Sequence, residues 1–545
     1  MSAHSQTSTT QAIIAAADSL LASLGSKPQT ENQADWMLFR HCRAGHGDDI
    51  ALCFDDQTFS YREVADAAAS TADWLRSLGV VQGDSVVLVL PDCPVLAALY
   101  FAVVSVGAIA IILNPALPPE DLFYIAQLSA AKVAICDRAV FERVNPLRHL
   151  KGMIAVKHAD LSWRGSSEIL DSVGLRQNSD YTVCDGADLP AFGLLTSGST
   201  GRPKLIVHRH RDILFGYLGF ALPVLALDKS DRLICAAKMT TGYGLGSSLL
   251  MPFLAGASSV LVSDPPGPAI FQAIGMHRCT LLLAQPRLLA EALDVGALTS
   301  SMQSIRLVIT GGEPLGASLV SRWGEVCKSE LLDAYGNTEV GFLYISNRQG
   351  STRQGSIGQP IAGVDVEIVD ETIQRVLPGE LGRLRVRGPS VISEYRGRPE
   401  ATREHFKNGW FQTSDLASRD SDGYVYLHGR SDQFIKLGCG DWVNPNEVEM
   451  VLRRDWRVKD CAVIGAPDDV GLTILKAVVV TGSNVDRPVD VAAELASLVR
   501  KEWPAEGFKH LAIVEFVDDL PKTAAGKLDR SKLFPQSMTE FSYKC

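Results

Sequence analysis

The chain has 545 residues and a formal net charge of −10, with 46% hydrophobic and 21% charged residues. That length exceeds one ordinary domain, and the composition excludes extensive disorder. The acidic balance, without a run of five or more like charges, does not support a nucleic-acid partner. Eleven cysteines, scattered without a CxxC pair, argue against a disulfide framework or a zinc cluster. We therefore expect a cytoplasmic protein.

The first 30 residues lack the basic start of a signal peptide and are predicted to be a tail. Residues 94–113 are almost entirely apolar and about as long as a membrane span. However, residues 96–104 are rich in Ala and Leu, residues 108–113 are largely β-branched after Gly107, and no basic residues flank the segment. We expect a buried helix, a turn and a buried strand there, and no membrane span.

Short apolar runs recur between helical patterns in the first 310 residues. Continuous apolar strands that alternate with helices are typical of parallel sheets covered on both faces. The sequence therefore predicts an α/β body. The runs are residues 85–90, 109–113, 133–136, 232–236, 259–262, 280–283 and 307–310.

The pattern changes near residue 356 to alternating strands, which predicts an antiparallel or barrel-like segment. After Gly429-Arg430-Ser431-Asp432, helical and strand patterns predict a compact α+β domain, and the last ten or so residues resemble a loose tail. The predicted divisions are a tail at 1–30, a large domain at 31–431 and a small domain at 432–545. The strands expected in the antiparallel segment are 364–369, 382–386 and 423–427; the small domain has helices at 447–453 and 489–502 and strands at 460–465 and 476–481.

Residues 196–204 read TSGSTGRPK, a run of hydroxyls and glycines closed by Lys204. Small residues let the backbone approach an anion, hydroxyls donate to its oxygens and the lysine adds charge. The spacing is not that of a Walker loop, and Pro203 prevents a helix from starting there. We expect Lys204 on a flexible lobe. Alone, the run fits a phosphate cradle and a low-complexity turn equally well.

Further motifs follow in a fixed order: YGNTE at 335–339, GWFQTSD at 409–415, GRSD at 429–432 with Lys436, and PKTAAGKL at 521–528. With them the chain resembles the adenylate-forming (ANL) superfamily of acyl-CoA synthetases, peptide-synthetase adenylation domains and luciferases, over about residues 48–533. The text VHRHRD at 207–212, AKMTTGYGLG at 237–246 and DWVNPNEVE at 441–449 is most similar to the benzoate-CoA ligase group.

The resemblance implies a large N-terminal domain of parallel-sheet αβ subdomains with a barrel-like segment, and a small mobile C-terminal lid that binds AMP. The implied enzyme is an ATP-dependent aryl-CoA ligase. It would convert an aromatic carboxylic acid and ATP to acyl-AMP and pyrophosphate, and then transfer the acyl group to CoA. ATP, Mg²⁺ and CoA are the implied cofactor and co-substrates, and the protein is expected to be a monomer or a homodimer.

The resemblance also assigns roles to residues. Ser197, Ser199, Thr200 and Lys204 would hold the β- and γ-phosphates. The residues implied around ATP or AMP are Thr196, Ser197, Gly198, Ser199, Thr200, Lys204, Gly312, Glu313, Asp333, Tyr335, Gly336, Thr338, Asp415 and Arg430.

The remaining catalytic roles also depend on the resemblance. Thr338 would hydrogen-bond to the α-phosphate, and Glu339 would help hold Mg²⁺. Asp415 would accept hydrogen bonds from both ribose hydroxyls. Lys527 would bridge the incoming carboxylate and the α-phosphate. Taken alone, YGNTE would more often be a turn and helix cap, and Asp415 and Arg430 would be ordinary surface residues.

For the acyl group, the resemblance implies a flat slot suited to a planar ring, formed by glycines beside Tyr243. The alternative is that Tyr243 is simply a core aromatic. Phe342 stands where relatives often have histidine, which removes a hydrogen-bonding group from the expected pocket rim. The implied substrate residues are Lys238, Gly242, Tyr243, Gly244, Gly311 and Phe342; the hinge is Asp432, and the CoA tunnel residues are Lys436, Gly438 and Trp442.

Other functions remain open from the sequence. A stand-alone adenylation enzyme would load the acid onto a carrier protein instead of CoA. A regulator that has lost catalysis would be expected to lack Lys527 or Glu339, and both are present. A luciferase-like oxygenase would consume oxygen.

Overall fold

A computed structural model describes residues 30–144, 155–159, 181–196, 202–263, 267–294, 301–312, 315–431, 434–439, 441–481, 488–521 and 542–544, with the isolated positions 15, 16, 19 and 533. The chain divides into a large unit, Met1–Thr413 with Ser418–Leu427, and a small unit, Ser414–Ala417 with His428–Cys545. The predicted α/β class is confirmed.

Six of the described strands form the first sheet of the large unit. Five of them run parallel, and the sixth, Lys204–Arg209, pairs antiparallel with Pro190–Thr196. The parallel strands are buried by helices because each crossover returns the chain along a face of the sheet. In spatial order the strands are Ala155–Ala159, Ala131–Asp137, Ser85–Val89, Ile109–Ile112, Pro190–Thr196 and Lys204–Arg209.

Nine described strands form the second sheet. Its six central strands are parallel, and antiparallel strands close both edges. Each apolar run that predicted a parallel strand lies in one of these two sheets. In spatial order the strands are Gln359–Pro360, Leu343–Ser346, Glu330–Gly336, Leu307–Thr310, Leu281–Ala284, Arg232–Cys235, Ser258–Leu261, Ile50–Phe54 and Gln57–Ser60.

The long apolar segment at 94–113 folds as predicted. Pro94–Ser105 is a helix in which every residue is buried, Gly107 takes a φ of +80° in the turn, and Ile109–Ile112 is a buried strand. Glycine adopts that left-handed backbone without a steric penalty, so it ends the helix and turns the chain into the sheet. Among the described residues, no helix combines the length and apolar character needed to cross a bilayer.

The large unit contains further helices. They are Asp35–Phe39 (π-helical), Arg40–Arg43, Tyr61–Ser77, Pro119–Leu128, Arg138–Val144, Asp212–Gly216, Tyr217–Ala221 (π-helical), Gly242–Leu245, Gly246–Leu250 (π-helical), Met251–Ala255, Gly267–His277, Pro286–Asp294, Ser301–Ser304 (3₁₀), Ala317–Val326 and Pro399–His405.

The predicted antiparallel segment forms a third sheet, of Asp365–Val369, Gly382–Arg387, Trp410–Arg419, Phe406–Lys407 and Val425–Arg430. The boundary between the two units falls within two of its strands. The small unit contains a two-stranded ribbon, Ile435–Lys436 with Trp442–Val443, and helices Pro445–Leu452, Pro488–Glu502 and Gly507–Lys509 (3₁₀).

The small unit is completed by a four-stranded sheet of Val458–Pro467, Thr473–Thr481, Ile513–Phe516 and Ser542–Lys544. The last of these strands corrects the expectation of a loose C-terminal tail. Ser542–Lys544 pairs antiparallel with Ile513–Phe516, and the Tyr543 ring lies 5.9 Å from the Phe516 ring. Backbone pairing and one aromatic contact therefore fix a segment whose own composition does not predict a strand.

Candidate active site

The two described ends of the candidate phosphate cradle face each other. Thr196 ends one strand, Lys204 begins the next, and the two residues are paired in register. The intervening Ser197, Gly198, Ser199 and Thr200 lie outside the described residues. The sequence was wrong about a flexible lobe, because Lys204 lies in a strand and is only 9% exposed. Pro203 blocks a helix, but the chain enters a hydrogen-bonded strand at once.

The Lys204 ammonium lies among aromatic groups. Its Nζ is 4.5 Å from the centre of the Tyr395 ring and 3.4 Å from His405 Nε2. His405 Nδ1 is 2.9 Å from the Gln412 carbonyl. That carbonyl can only accept, so Nδ1 carries the proton and Nε2 accepts from Lys204. A buried cation is thus stabilised by one ring face and one lone pair.

The Glu339 carboxylate is bound to the same tyrosine. Tyr395 donates its hydroxyl to Glu339 Oε1 at 2.7 Å, and Tyr395 and Glu339 are 2% and 6% exposed. The backbone N–H of Ile392 donates to the Glu339 carbonyl at 3.0 Å. Mg²⁺ is usually held by one or two carboxylates together with phosphate oxygens. A buried carboxylate fixed by one neutral donor fits that role.

Thr338 is positioned from the strand that follows the cradle. His208 on that strand is fully buried, and its Nε2 lies 2.8 Å from the Thr338 carbonyl. Its Nδ1 lies 3.2 Å from an Asp212 carboxylate oxygen, and the Phe192 ring stacks on it with centroids 5.2 Å apart. Because the sequence predicts ATP contacts for Lys204, Thr338 and Glu339, we call these three residues with Tyr395 and His405 the nucleotide face.

The carboxyl ends of two neighbouring parallel strands supply the predicted residues beside this face. Gly312 follows Leu307–Thr310 with a φ of +82°, and Glu313 lies outside the described residues. Asp333 is buried and accepts from the Thr310 hydroxyl at 3.1 Å; burial raises the pKa of its carboxyl to about 7. Tyr335 is also buried, and its ring packs edge-on against Tyr344.

The segment at 238–244 is a tight turn into a short helix. Thr241 caps the helix by accepting the Gly244 N–H at 3.0 Å, and its own N–H donates to the Lys238 carbonyl. A Cβ on Gly244 would lie 1.9 Å from that carbonyl oxygen. Glycine is therefore required at this position by the close approach of the backbone.

The predicted acyl residues come together, and we call Gly242, Tyr243, Gly244, Gly311, Gly336 and Phe342 the acyl face. A Cβ on Gly242 would lie 3.7 Å from Thr338 Cα, and one on Gly311 would lie 3.9 Å from Tyr243 Cζ. Tyr243 is half-buried and donates its hydroxyl to the Ile309 carbonyl at 3.1 Å. It is therefore anchored at its polar end to a strand of the second sheet.

Phe342 lies deeper than a pocket rim. It is 4% exposed, and a Cβ on Gly216 would lie 2.6 Å from its ring. Its carbonyl oxygen would be 2.4 Å from a Cβ on Gly336. Phe342 is thus a packing partner of the helix that begins at Asp212.

Sequence reasoning missed Asp92, which fixes the segment at 238–244, here called the acyl segment, from a different part of the chain. Its carboxylate oxygens lie 3.2 and 3.0 Å from the Met239 N–H, across 147 residues. Burial raises the pKa of the Asp92 carboxyl to about 7. The roles of Tyr395 and His405 were also missed, because their contacts with Glu339 and Lys204 span 56 and 201 residues.

In the small unit, two predicted CoA-tunnel residues pair across the ribbon. Lys436 faces Trp442 in register, with Nζ 5.5 Å from the ring centre. Gly438 donates its N–H to Thr473 at 2.9 Å. Asp415 is 9% exposed on its strand, and Arg430 ends the strand Val425–Arg430. Asp432 and Lys527 lie outside the described residues.

This α/β fold, together with the matches to known families that follow, identifies the chain as an adenylate-forming enzyme. The AMP-binding enzyme family matches residues 39–396, and the C-terminal domain of AMP-binding enzymes matches residues 447–527. The chain belongs to the AMP-binding enzyme family. The prediction of an acid–thiol ligase is confirmed.

Relatives with assigned activities extend over nearly the whole chain. The 4-hydroxybenzoate–CoA/benzoate–CoA ligase of Rhodopseudomonas palustris is 30% identical over 509 residues, covering 92% of this chain and 93% of that protein. The solved benzoate CoA ligase of Burkholderia xenovorans LB400 is 30% identical with a TM-score of 0.76, covering 92% and 99%. An anthranilate CoA ligase solved with anthranoyl-AMP is 29% identical with a TM-score of 0.77, covering 93% and 97%.

Proposed function

We propose that this protein is an ATP-dependent aryl-CoA ligase. A carboxylate oxygen of an aromatic acid attacks the α-phosphorus of ATP, and the bond to the β-phosphate oxygen breaks to release pyrophosphate. The thiol sulfur of CoA then attacks the acyl carbon, AMP leaves and the thiol proton passes to solvent. Relatives that are aryl-CoA ligases over nine-tenths of this chain support both steps.

One observation carries the proposal. The acyl face adjoins the nucleotide face at Gly242 and Thr338, where a Cβ on the glycine would touch Thr338 Cα. An acid lying on the glycine-lined face would thus have its carboxylate beside the residue proposed to bond the α-phosphate. Such an arrangement lowers the entropic cost of bringing the two anions together.

Three described residues would share the binding of the phosphate groups and of the metal ion. Lys204 would bind the departing pyrophosphate, and Thr338 the α-phosphate. Glu339 would hold Mg²⁺, which when bound neutralises phosphate charge and so assists the attack of a second anion.

The remaining assignments depend on sequence motifs. Lys527 would bridge the carboxylate and the α-phosphate. Asp415 would bind the ribose hydroxyls, and Arg430 would contact the edge of the ribose or of the phosphate. Residues 31–431 would form the adenylating domain and 432–545 the lid, with Asp432 as the hinge and Lys436, Gly438 and Trp442 along the CoA path. Cytoplasmic location and a monomeric or homodimeric state stay predictions.

The proposed acid is a planar aromatic carboxylate. The Tyr243 ring lies beside Gly311, which adds no side chain of its own, and such a ring would suit stacking by a flat substrate. Phe342 packs into the interior, so the acyl face presents no hydrogen-bonding group at that position. We therefore expect an unsubstituted ring, or one substituted away from Phe342, to be preferred.

The test is AMP release by the purified protein with ATP, Mg²⁺, CoA and a panel of substituted benzoates, heteroaromatic acids and cinnamates. We expect AMP and an acyl-CoA with at least one benzoate-type acid. Release of ADP, or no nucleotide product with any acid, would refute the proposal. AMP release that requires a carrier protein and does not depend on CoA would favour the loading enzyme instead.

A further inference from the structure

Two groups proposed to act on ATP are linked through one side chain. Tyr395 donates its hydroxyl to Glu339 at 2.7 Å and presents its ring face to the Lys204 ammonium at 4.5 Å. The same tyrosine thus contacts an anion through its polar end and a cation through its π face. All three side chains are at most 9% exposed.

His405 contacts the same assembly from the side. Its Nε2 accepts from Lys204, and its ring lies edge-on to Tyr395, with centroids 5.7 Å apart at 90°. Because Nδ1 donates to the Gln412 carbonyl, the tautomer that accepts from Lys204 is fixed by the backbone. A lysine with four rotatable side-chain bonds is thereby held in one place before any phosphate arrives.

Backbone contacts keep Tyr395 in register with the strand Lys204–Arg209, which we call the cradle strand. Arg396 donates its N–H to the Leu205 carbonyl at 2.9 Å, and the Tyr395 N–H donates to the Thr402 hydroxyl at 3.0 Å. The residues beside Lys204 and Tyr395 are therefore hydrogen-bonded to each other. A displacement of the tyrosine would be transmitted to the cradle strand.

We propose that Tyr395 and His405 are positioning residues that hold Lys204 and Glu339 as one preorganised pair for magnesium-bound ATP. This inference rests on the proposed function in that ATP must bind at the nucleotide face. Tyr395 supports the magnesium side through its hydroxyl, and its ring together with His405 supports the phosphate side. The two contributions are chemically separable, because phenylalanine keeps the ring and loses only the hydroxyl.

The test measures ATP binding by calorimetry without any acid, both with chelator and over a Mg²⁺ titration. Tyr395→Phe should raise the Mg²⁺ concentration for half-maximal binding roughly tenfold, as loss of a hydrogen bond to a metal ligand commonly does. It should leave the metal-free Kd for ATP within about twofold, because the cation–π contact remains. Unchanged Mg²⁺ dependence would overturn the role of the hydroxyl.

His405→Ala should have the opposite profile. We expect the metal-free Kd for ATP to rise about fivefold and the Mg²⁺ requirement to stay within about twofold, with partial recovery in His405→Gln, whose amide oxygen can accept from Lys204. If both variants shifted both quantities in proportion to a loss of Tm, the residues would be only structural and the inference would be wrong.

Tyr424 offers a matched control. It also carries a hydroxyl contact, 3.0 Å from Ser351 Oγ, and a cation over its ring, Arg353 at 4.2 Å. Tyr424→Phe should change neither quantity, and an effect equal to that of Tyr395→Phe would overturn the assignment. Wild-type protein that binds ATP but turns over no aromatic acid would refute the proposed substrate and leave this inference standing. Failure of the wild type to bind ATP would overturn both.

Discussion

The nucleotide face and the acyl face are built by different physical means. On the nucleotide face, buried charges are held by neutral partners, as Lys204 is by Tyr395 and His405. On the acyl face, backbone approaches backbone so closely that a Cβ on Gly244 or Gly336 would lie 1.9 or 2.4 Å from a carbonyl oxygen. The first face should be sensitive to changes of charge and hydrogen bonding, and the second to changes of volume.

The largest expected effect comes from Lys527, a charge that neither described face supplies. Lys527→Ala should reduce acyl-adenylate formation by at least about a hundredfold, because the ammonium proposed to bridge the incoming carboxylate and the α-phosphate would be lost. Thiolysis of supplied acyl-adenylate should continue largely unchanged. Pyrophosphate exchange and thioester formation, measured separately, check the two steps.

Lys522 lies in the same motif and gives a matched control. Lys522→Ala should keep both steps near the wild-type rates. Equal loss of both steps in Lys527→Ala would contradict a role confined to adenylation, and the assignment of Lys527 would fail. Asp432→Pro, at the proposed hinge, should slow thiolysis more than adenylation, which is the converse of the result expected for Lys527→Ala.

The next largest effect tests the volume sensitivity of the acyl face. Gly244→Ala places a Cβ 1.9 Å from the Lys238 carbonyl, so the turn must open at a cost of about 1–3 kcal/mol. We expect a lower Tm and a raised KM for the aromatic acid, with the KM for ATP little changed. Gly246→Ala is the control, because nothing lies within 4 Å of its Cβ. A normal acid KM in Gly244→Ala would contradict the close-approach argument.

A pH-dependent stability is expected from Asp92, which supports the acyl segment. Burial raises the pKa of its carboxyl from 3.8 to about 7, so the folded state favours the protonated form. The contribution of Asp92 to the stability of the fold is therefore complete below about pH 4 and is lost as the pH rises towards 7. Asp92→Asn keeps an oxygen for the Met239 N–H and should reduce the fall in Tm between pH 5 and pH 7.5.

Asp333 should keep part of that pH dependence in the variant, since burial raises the pKa of its carboxyl in the same direction. Asp73→Asn is the control, because Asp73 is a surface carboxylate paired with Arg76 at 2.9 Å; it should leave the shape of the Tm–pH curve unchanged. An Asp92→Asn curve parallel to that of the wild type would show that Asp92 does not titrate in this range.

Local pattern predicted much of the fold. The apolar run at 307–310 became the strand Leu307–Thr310, and Gly107 divided the segment at 94–113 with a positive φ. Such features are encoded within a few residues, because continuous burial and a left-handed turn each leave a direct trace in the sequence.

The side-chain networks could not be predicted in the same way. Asp92 and Met239, or Lys204 and His405, meet only after the sheets have formed. The position of Lys204 was also wrong, because a pattern of small residues indicates backbone freedom but not the strand that follows it. The acyl glycines were found only through the family resemblance; their spacing alone does not show which backbone approaches them.

The smallest expected effect concerns the polar end of Tyr243. Its hydroxyl donates to the Ile309 carbonyl at 3.1 Å, and Tyr243→Phe would leave that acceptor without this partner at a cost of about 1 kcal/mol. The ring remains beside Gly311. If the acyl face is sensitive to volume and not to hydrogen bonding, the KM for the aromatic acid should stay within about twofold of the wild-type value while Tm falls slightly. If the acid KM rose as much as in Gly244→Ala, hydrogen bonding would control the acyl face as it does the nucleotide face. Thermal unfolding and acid-dependent AMP release, measured on the same preparations, decide between these outcomes.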